Sequence, residues 1–573
     1  MCAAEATDEP PYFWTTRATG PQATDVRAAG VVASPGTARC DHPVDDPERW
    51  LLSAEERGNP ATTLPAWTAG NLAVPLVHGA AYFDRLVEAV QALDEGDHLF
   101  FTDWRGDPDE QLRPGGPTVA QLFTDAVRRG VCVRGLVWRS HFDWLSFSKE
   151  ANRALDAEIE DGGGEVILDQ RVHRLGSHHQ KCVVLRHDQD PTRDVAFVGG
   201  IDLCHGRRDD ARHAGDPQPL AMASAYGPNP PWHDVQLMVR GPAVGVLDTV
   251  FRERWDDPTS PDSHNPLAYV RDRFRRADLV AAPLPPQLPP PPPCGPHLVQ
   301  NLRTYPAIRP GYEFAPRGER SIARGYSKAI QRARRLVYLE DQYMWSADVA
   351  RLFAEALTDH PELHLVVVVP RVPDQETAFS SRPQYVGRWQ ALEMCQRAGR
   401  DRVHVFDVEN HEGTPVYVHA KVCVVDDVWA SVGSDNFNRR SWTHDSELSC
   451  VVLDTARDPR EPRDPAGTGD GARVFARDLR LELAREHLDR ATDGSEDDGL
   501  VDPEEFVAAL EESAATLDAW HAGGRGGPRP PGRLRPHRAE RLPLSTRLWA
   551  TPVYRLIDDP DGRPWRMRQT RSF

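Results

Sequence analysis

Two copies of the pattern His-x-Lys, each followed by an apolar run, constrain this chain more than any other feature. The first copy is "HHQKCVVL" at residues 178–185, and the second is "VHAKVCVVD" at residues 418–426. The chain holds only four lysines, and two of them, Lys181 and Lys421, lie in these copies. Composition alone would produce this coincidence with a probability of roughly one in a hundred. Two unrelated buried strands are the alternative, but an internal duplication is the favoured interpretation.

The order of predicted elements before each copy supports a duplication. In "YFDRLVEAVQALDEGDHLFFTDW" (82–104), apolar residues at helical spacing precede a short aromatic strand. A second helix and strand follow in "PTVAQLFTDAVRRGVCVRGLVW" (117–138). The same order of helix, strand, helix and strand returns between residues 321 and 370. Because helices alternate with short buried strands, we predict an α/β fold made by tandem duplication, with the two halves sharing one active-site cleft.

Length and composition predict the division of the chain. A length of 573 residues is enough for two or three domains. The run "PLPPQLPPPPPCGP" favours polyproline II and cannot join a sheet interior, so it is typical of a linker. The predicted segments are a loop-rich N-terminal part at 1–70, a first repeat at 71–282, a Pro-rich linker at 283–297, a second repeat at 298–490, and a C-terminal helix with an irregular tail at 491–573.

Charge and hydropathy exclude several classes of protein. The net charge is −18 with a pI near 5.7, which disfavours a nucleic-acid partner. The N-terminus lacks the pattern of a secretory signal, and no apolar stretch approaches the ~20 residues of a membrane span. The nine cysteines include no C-x-x-C pair, so no zinc site is predicted from them. We expect a cytoplasmic protein that touches membranes at most peripherally and needs no cofactor or metal.

The repeated motif has the groups that displacement at a phosphodiester requires. Residues i and i+2 of a strand share a face, so each motif presents an imidazole beside an ammonium. The lysines, Lys181 and Lys421, would supply fixed positive charge to the phosphate. One neutral histidine can attack phosphorus, while the other, protonated, donates its proton to the leaving alcohol. The two candidates are His179 and His419.

The second copy also resembles a known signature. The stretch "HAKVCVVDDVWASVGSDNFNRRSW" matches the phospholipase D superfamily pattern H-x-K-x4-D-x6-G-S-x-N at every defined position. The first copy, with "AFVGGIDLCHGRRD" downstream, resembles the corresponding half of eukaryotic-type enzymes that hydrolyse phosphatidylcholine. The segments "PWHDVQLMVRGP", "YLEDQY" and "HDSELSCVV" are similar to parts of the same enzymes. The resemblance covers about residues 70 to 490 and implies a duplicated phospholipase D/nuclease-type sandwich.

The resemblance implies roles for the two histidines and two acids. His179 would be the nucleophile, and His419 would be the general acid and later the base that activates water. An acidic partner would hold each imidazole in one tautomer and stabilise its protonated form. The candidates are Glu447 for His179 and Asp234 for His419.

The resemblance also implies which residues hold the phosphate. Lys181, Lys421 and Asn436 would contact the phosphate oxygens, and Ser434 is a further candidate for the same role. Asp426, the acid of the second motif, is assigned to the catalytic set.

One departure from the family pattern affects the first copy. Arg186 stands where the pattern has an acid, five residues after Lys181, and Asp188 is the next acid that could replace it. Two interpretations are open: the acid of the pattern only braces a turn, so that its loss is tolerated, or the first half is impaired. Asp202 occupies the position of Asn436 and is interpreted as structural, because an anion beside a phosphate is unfavourable unless it is paired.

The implied activity is that of a phospholipase D. The enzyme would hydrolyse a glycerophospholipid such as phosphatidylcholine to phosphatidate and the headgroup alcohol, and would transfer the phosphatidyl group to other alcohols. The alternatives are a phosphatidyltransferase of the cardiolipin synthase type and a catalytically impaired lipid-binding scaffold. About 70 residues before the first repeat are too few for a calcium-binding C2 domain, so calcium is not expected to be required.

Overall fold

The computed structural model describes residues 46–139, 149–173, 175–259, 281–375, 378–570 and 572–573. Most of the predicted N-terminal segment lies outside these residues. Residues from Val44 onward form one compact unit that contains both predicted repeats. Among the helices of the described residues, none is long and apolar enough to cross a membrane.

The described residues form 18 strands and 13 α-helices. The strands are β1 (Thr68–Val77), β2 (His98–Asp103), β3 (Cys132–Trp138), β4 (Glu165–Asp169), β5 (Cys182–Arg186), β6 (Val195–Gly199), β7 (Trp232–His233), β8 (Val235–Arg240), β9 (His297–Tyr305), β10 (Glu319–Arg320), β11 (Leu336–Asp341), β12 (His364–Val368), β13 (Val403–Val408), β14 (Tyr417–Val418), β15 (Lys421–Val425), β16 (Trp429–Gly433), β17 (Glu447–Asp454) and β18 (Leu534–Pro536). The helices are α1 (Ala54–Arg57), α2 (Gly79–Gln91), α3 (Val119–Arg128), α4 (Lys149–Asp161), α5 (Ala243–Trp255), α6 (Ser321–Arg332), α7 (Ala347–Asp359), α8 (Ala378–Gly399), α9 (Arg439–Thr443), α10 (Val474–His487), α11 (Pro503–Ala522), α12 (Leu544–Val553) and α13 (Trp565–Thr570).

The order of the strands repeats on either side of a central antiparallel pair, β1 and β9. Outward from β1 the order is β8, β6, β5, β2, β3 and β4, and outward from β9 it is β17, β16, β15, β11, β12 and β13. The directions agree as well, because β2, β3 and β4 pair in parallel, as do β11, β12 and β13. The predicted α/β duplication is therefore confirmed, and the two histidine motifs lie at equivalent positions beside β5 and β15.

Helices cover both faces of this sheet, as a mainly buried α/β sheet requires. In the first half, α2 and α3 bury apolar side chains such as Phe83 and Phe123 against the strands. In the second half, α6 and α7 pack Tyr326 and Phe353 in the same way. The opposite faces of both halves share one core with α5 and α10. This common core fixes the two halves as one unit around the cleft.

Arg186 lies far from the chemistry of the first motif. Its guanidinium bonds the carboxylates of Asp194 and Asp248, each at 2.7 Å, and all three side chains are buried. Lys181 precedes β5 and Arg186 ends it, so their Cα atoms are separated by roughly 16 Å of extended chain. The side chain of Asp188 is exposed and hydrogen-bonds Gln189. The idea that Asp188 replaces a catalytic acid is wrong. The position at which the motif has an acid lies at the far end of β5, and in this half Arg186 occupies it.

Replacing Arg186 with Ala is predicted to lower the free energy of unfolding by about 3–5 kcal/mol, since the buried carboxylate of Asp194 would lose its arginine partner and that of Asp248 would keep only Arg252. Urea denaturation followed by far-UV circular dichroism measures the effect. The matched control, Asp188→Ala at an exposed position, should change the same quantity by less than about 0.5 kcal/mol. An Arg186→Ala protein of wild-type stability would contradict this assignment.

Candidate active site

The two His-x-Lys motifs face each other because each is hydrogen-bonded to the opposite half. The backbone N–H of His179 donates to the carbonyl of Ser446 at 2.9 Å, and that of His419 donates to the carbonyl of His233 at 2.8 Å. The bond of His419 continues a short parallel pair of strands, β7 from the first half and β14 from the second. One cleft therefore holds residues from both repeats.

Each imidazole also contacts a carboxylate from the opposite half. The Nδ1 atom of His179 lies 2.9 Å from Oε2 of Glu447, and that of His419 lies 2.7 Å from Oδ2 of Asp234. Both acids are fully buried. Since a carboxylate only accepts, Nδ1 carries the hydrogen and Nε2 keeps its lone pair. These are the pairs named from the sequence, and their roles in catalysis stay predictions.

Burial and neighbouring cations make protonation of the free histidines unfavourable. Burial is the largest cause that holds the pKa of His179 well below its usual value, and the ammonium groups of Lys181 and Lys421 add to it. Burial followed by Lys421 has the same effect on the pKa of His419. A neutral imidazole is the form that can act as a nucleophile. An incoming phosphate anion would offset the cations and favour protonation of one ring.

Both lysines lie inside the cleft beside their own motif. The Nζ atom of Lys181 donates to the carbonyl of His179 at 3.2 Å, and that of Lys421 donates to the carbonyl of His419. Burial lowers the pKa of Lys421 to about 8. The buried Oδ1 atom of Asn436 has no hydrogen-bond partner among the described residues. The two ammonium groups could donate to phosphate oxygens, as predicted. An amide oxygen only accepts, so the contact predicted for Asn436 would have to come from its Nδ2 group.

The structure corrects the role predicted for Ser434. Its hydroxyl donates to Oε2 of Glu447 at 2.6 Å and accepts from the backbone N–H of Leu448 at 3.0 Å. Both functions of the hydroxyl are occupied within the protein. Ser434 therefore positions the acid behind His179 and does not bind phosphate.

The structure also corrects the role predicted for Asp426. Its carboxylate accepts hydrogen bonds from the backbone N–H groups of Arg334, Arg335 and Leu336 at 2.8–2.9 Å. Asp426 follows the last residue of β15, whereas Lys421 is the first. This acid holds two strand ends together and lies away from the reacting groups.

Asp202 takes part in the site more directly than the sequence suggested. It is equivalent to Asn436, because the next residue in each half donates its N–H to an acid at the end of β2 or β11. The Oδ1 atom of Asp202 lies 3.1 Å from Nζ of Lys181, and its Oδ2 lies 3.5 Å from Nε of Arg207. The anion is tolerated because two cations pair with it.

Arg207 was not singled out in the sequence, although it follows Asp202 by only five residues. Its guanidinium lies 3.9 Å from the ring centre of Trp232, whose ring lies 4.8 Å from that of His419. The positive charge of Arg207 also lowers the pKa of His419. Arg207 adds a cation to the cleft because the fold places β7, with Trp232, between this arginine and His419. The sequence alone does not show this proximity.

Comparisons with known proteins agree with this geometry. Residues 148–278 match the family described as "Phospholipase D", and residues 327–458 match "Cardiolipin synthase, PLD-like domain". The chain is 27% identical over 585 residues to "Phospholipase D alpha 2" of Oryza sativa subsp. japonica, covering 78% of this chain and 68% of the relative. It is 26% identical over 513 residues to "Phospholipase D alpha 1" of Cynara cardunculus, covering 68% of this chain and 61% of the relative.

A solved structure, phosphatidylserine synthase from Haemophilus influenzae Rd KW20, is also similar. It has 12% sequence identity and a TM-score of 0.44, and the match covers 70% of this chain and 87% of the other. The resemblance to the phospholipase D superfamily predicted from the motifs is confirmed by the family matches in both halves.

Binding of a phosphodiester anion should weaken as the pH rises through about 8, the pKa to which burial lowers the ammonium of Lys421. Above that pH the ammonium of Lys421 loses its proton and with it the positive charge that attracts the anion. The dissociation constant should then rise by up to about tenfold per pH unit. Calorimetric titration with dimethyl phosphate, whose charge is constant over this range, measures it. The control Lys421→Arg keeps its charge and should remove this dependence; an unchanged dependence in that variant would contradict the assignment.

Proposed function

We propose that this chain, which carries two phospholipase D-type domains, is a phospholipase D that hydrolyses glycerophospholipids to phosphatidate and the headgroup alcohol. The observation that carries the proposal is the pair of imidazoles in one cleft, each backed by a buried carboxylate from the opposite half. Two lysines beside these rings supply the charge that a phosphodiester requires.

The proposed first step forms a covalent intermediate. Nε2 of His179 attacks phosphorus, and the bond between phosphorus and the headgroup oxygen breaks. The electron pair of that bond stays on the oxygen, which takes a proton from Nε2 of His419 and leaves as the alcohol. The resemblance of the first motif assigns the attack to His179, whose side chain is also the more accessible of the two, 14% exposed against 7% for His419.

The proposed second step releases the product. His419, now neutral, takes a proton from water, whose oxygen attacks phosphorus and displaces His179. An alcohol can replace water in this step, which gives a phosphatidyl alcohol by transphosphatidylation. Glu447 and Asp234 keep both rings oriented through the two steps, because each accepts from Nδ1 throughout.

A phosphatidyltransferase of the cardiolipin synthase type is the second candidate. The match of residues 327–458 to the family described as "Cardiolipin synthase, PLD-like domain" favours it. The chemistry of the first step is identical, and only the acceptor in the second step differs. A phosphatidyl acceptor such as phosphatidylglycerol would then compete effectively with water.

The purified full chain should convert phosphatidylcholine and ethanol to phosphatidylethanol and choline without added metal. His179→Ala should lose at least about a thousandfold of this activity, since it removes the nucleophile. The matched control is His411→Ala at a half-exposed histidine. Mass spectrometry of the lipids measures both products, and parallel assays with phosphatidylglycerol as acceptor test the transferase.

Equal product from wild type and His179→Ala would overturn the proposed nucleophile. Binding of lipid without turnover by the wild type, on any phospholipid tested, would support the non-catalytic scaffold. Formation of cardiolipin in preference to phosphatidate would support the phosphatidyltransferase.

Exposed apolar side chains support peripheral contact with a membrane. The large exposed hydrophobic residues of the described chain are Leu175, Leu544, Leu548, Trp549, Leu556, Ile557 and Trp565. Arg440 brings two of them together, since its guanidinium donates to the carbonyls of Leu175 and Ile557 at 2.8 and 2.7 Å. Leu175 precedes His179 by only four residues. We propose that these residues form one surface, named here the apolar rim, which enters the bilayer surface beside the cleft.

Ile557→Asp should weaken binding to phosphatidylcholine vesicles by about tenfold or more, because burial of one such side chain contributes about 1.5–3 kcal/mol. Activity on a short-chain, monomeric phosphatidylcholine should not change. Vesicle sedimentation measures the binding. Thr358→Asp, which adds the same charge at an exposed helix position outside the rim, is the control. Equal binding of the two variants would exclude Ile557 from the membrane contact.

A further inference from the structure

Three buried histidines and one largely buried glutamate, from four distant parts of the chain, meet beside the cleft and take part in no step of the proposed reaction. They are His78, His213, His233 and Glu486. The Oε2 atom of Glu486 lies 2.6 Å from Nε2 of His78, and its Oε1 atom lies 2.9 Å from Nε2 of His213 and 3.3 Å from Nδ1 of His233. The three histidines are at most 3% exposed. Three imidazoles and one carboxylate thus converge on one buried point.

The spacing of these atoms suits one small metal ion. All four donor atoms lie within 4.8 Å of one another. A tetrahedral zinc ion with bonds of 2.0–2.1 Å places its donors about 3.3 Å apart, so only small side-chain movements are required. The buried Nδ1 atom of His233 points into the group and makes no well-aligned hydrogen bond among the described residues; its nearest acceptor there is Oε1 of Glu486 at 3.3 Å. A metal ion would satisfy that atom.

The outward nitrogens of two histidines are held as those of metal ligands usually are. The Nε2 atom of His233 lies 2.6 Å from Oε2 of Glu340, and the Nδ1 atom of His213 lies 3.1 Å from the carbonyl of Trp232. Both partners only accept, so each ring carries a hydrogen on the outer nitrogen. The inner nitrogen, once it has lost its own proton, directs a lone pair into the group, as a metal ligand requires. Tyr338 and His487 hold Glu340 in turn.

Backbone geometry adds an independent observation. His78 and His213 have φ values of +70° and +53°, a region that side chains other than glycine rarely adopt. Such conformations cost about 1–3 kcal/mol each and persist where the surroundings stabilise them. At both positions the unusual backbone directs an imidazole to the same carboxylate.

We propose that His78, His213, His233 and Glu486 form a structural Zn²⁺ site. Four protein ligands leave no open position, as is typical of structural zinc. A second group, His233 with Glu340 and His487, has only three donors and shares His233 with the first, so it supports the first site and does not hold a second ion. The proposal differs from the expectation of no metal drawn from the sequence.

The site would stabilise the junction between β7 and β8, where Asp234 lies. His233 is the neighbour of that acid, and the backbone N–H of His78 donates to the carbonyl of Asp234 at 2.8 Å. The metal would thereby hold Asp234 against His419 from behind, without contacting the substrate. The zinc ligands are positioning residues in this assignment.

The first test is the metal content of the full chain without an affinity tag, purified without chelator and measured by plasma mass spectrometry. About one zinc per chain is expected. After removal with a chelator, Co²⁺ should restore one equivalent with the visible absorption bands of a tetrahedral site, and the midpoint of thermal unfolding should rise on adding metal. A metal-free protein that shows neither bands nor a thermal shift with Co²⁺ would overturn the proposal.

Variants then locate the ion. His213→Gln and Glu486→Gln should each lose at least about tenfold in Co²⁺ affinity, and Glu340→Gln, which leaves all four ligands in place, should lose about 10–100-fold. His411→Gln and His179→Ala should bind the metal as the wild type does. Retention of wild-type affinity in His213→Gln, or its loss in His179→Ala, would assign the metal elsewhere and overturn the site. Should the ligand variants fail to fold, the wild-type measurements alone decide. Because His179→Ala separates metal content from activity, the two proposals can fail independently.

Discussion

The contacts between the imidazoles and carboxylates of opposite halves are the constraint on which the rest of the structure depends. His179 needs Glu447, and His419 needs Asp234, so neither half can complete a site alone. Because these groups are buried, a small separation of the halves would leave charges unpaired in a poorly solvated place. The shared core around α5 and α10, together with the β1–β9 pair, holds the halves at the distance that these contacts require.

The cleft also resolves an apparent conflict with the net charge of −18. An acidic protein can bind an anion when a few cations are placed locally and kept from bulk water, where their effect is strongest. Lys181, Lys421 and Arg207 are such cations, and Asp202 compensates part of their charge while the site is empty. The scarcity of lysine elsewhere in the chain made two of these three recognisable from the sequence, whereas Arg207 is one arginine among many.

Several site residues were predictable because they obey local rules. The alternation of strand faces placed each lysine beside its histidine, and the repeated order of helices and strands indicated equivalent halves. Ser434 and Asp426 belong to the same linear motif, yet their hydroxyl and carboxylate are occupied by Glu447 and by backbone N–H groups. A motif shows that residues recur together, but not which of them contacts the reacting atoms. Arg186 illustrates the same limit, since its partners Asp194 and Asp248 are found only after folding.

The sequence by itself determined the duplication, the α/β class and the two His-x-Lys pairs, because strand periodicity and a repeated motif are local properties of the chain. The tertiary structure decided which acid contacts which imidazole, where Arg207 lies, and that His78, His213, His233 and Glu486 converge. These four residues span more than 400 positions and share no regular spacing. Only the packing of the two halves brings them together. The periodicity of the chain gives no information on contacts between residues so far apart in sequence.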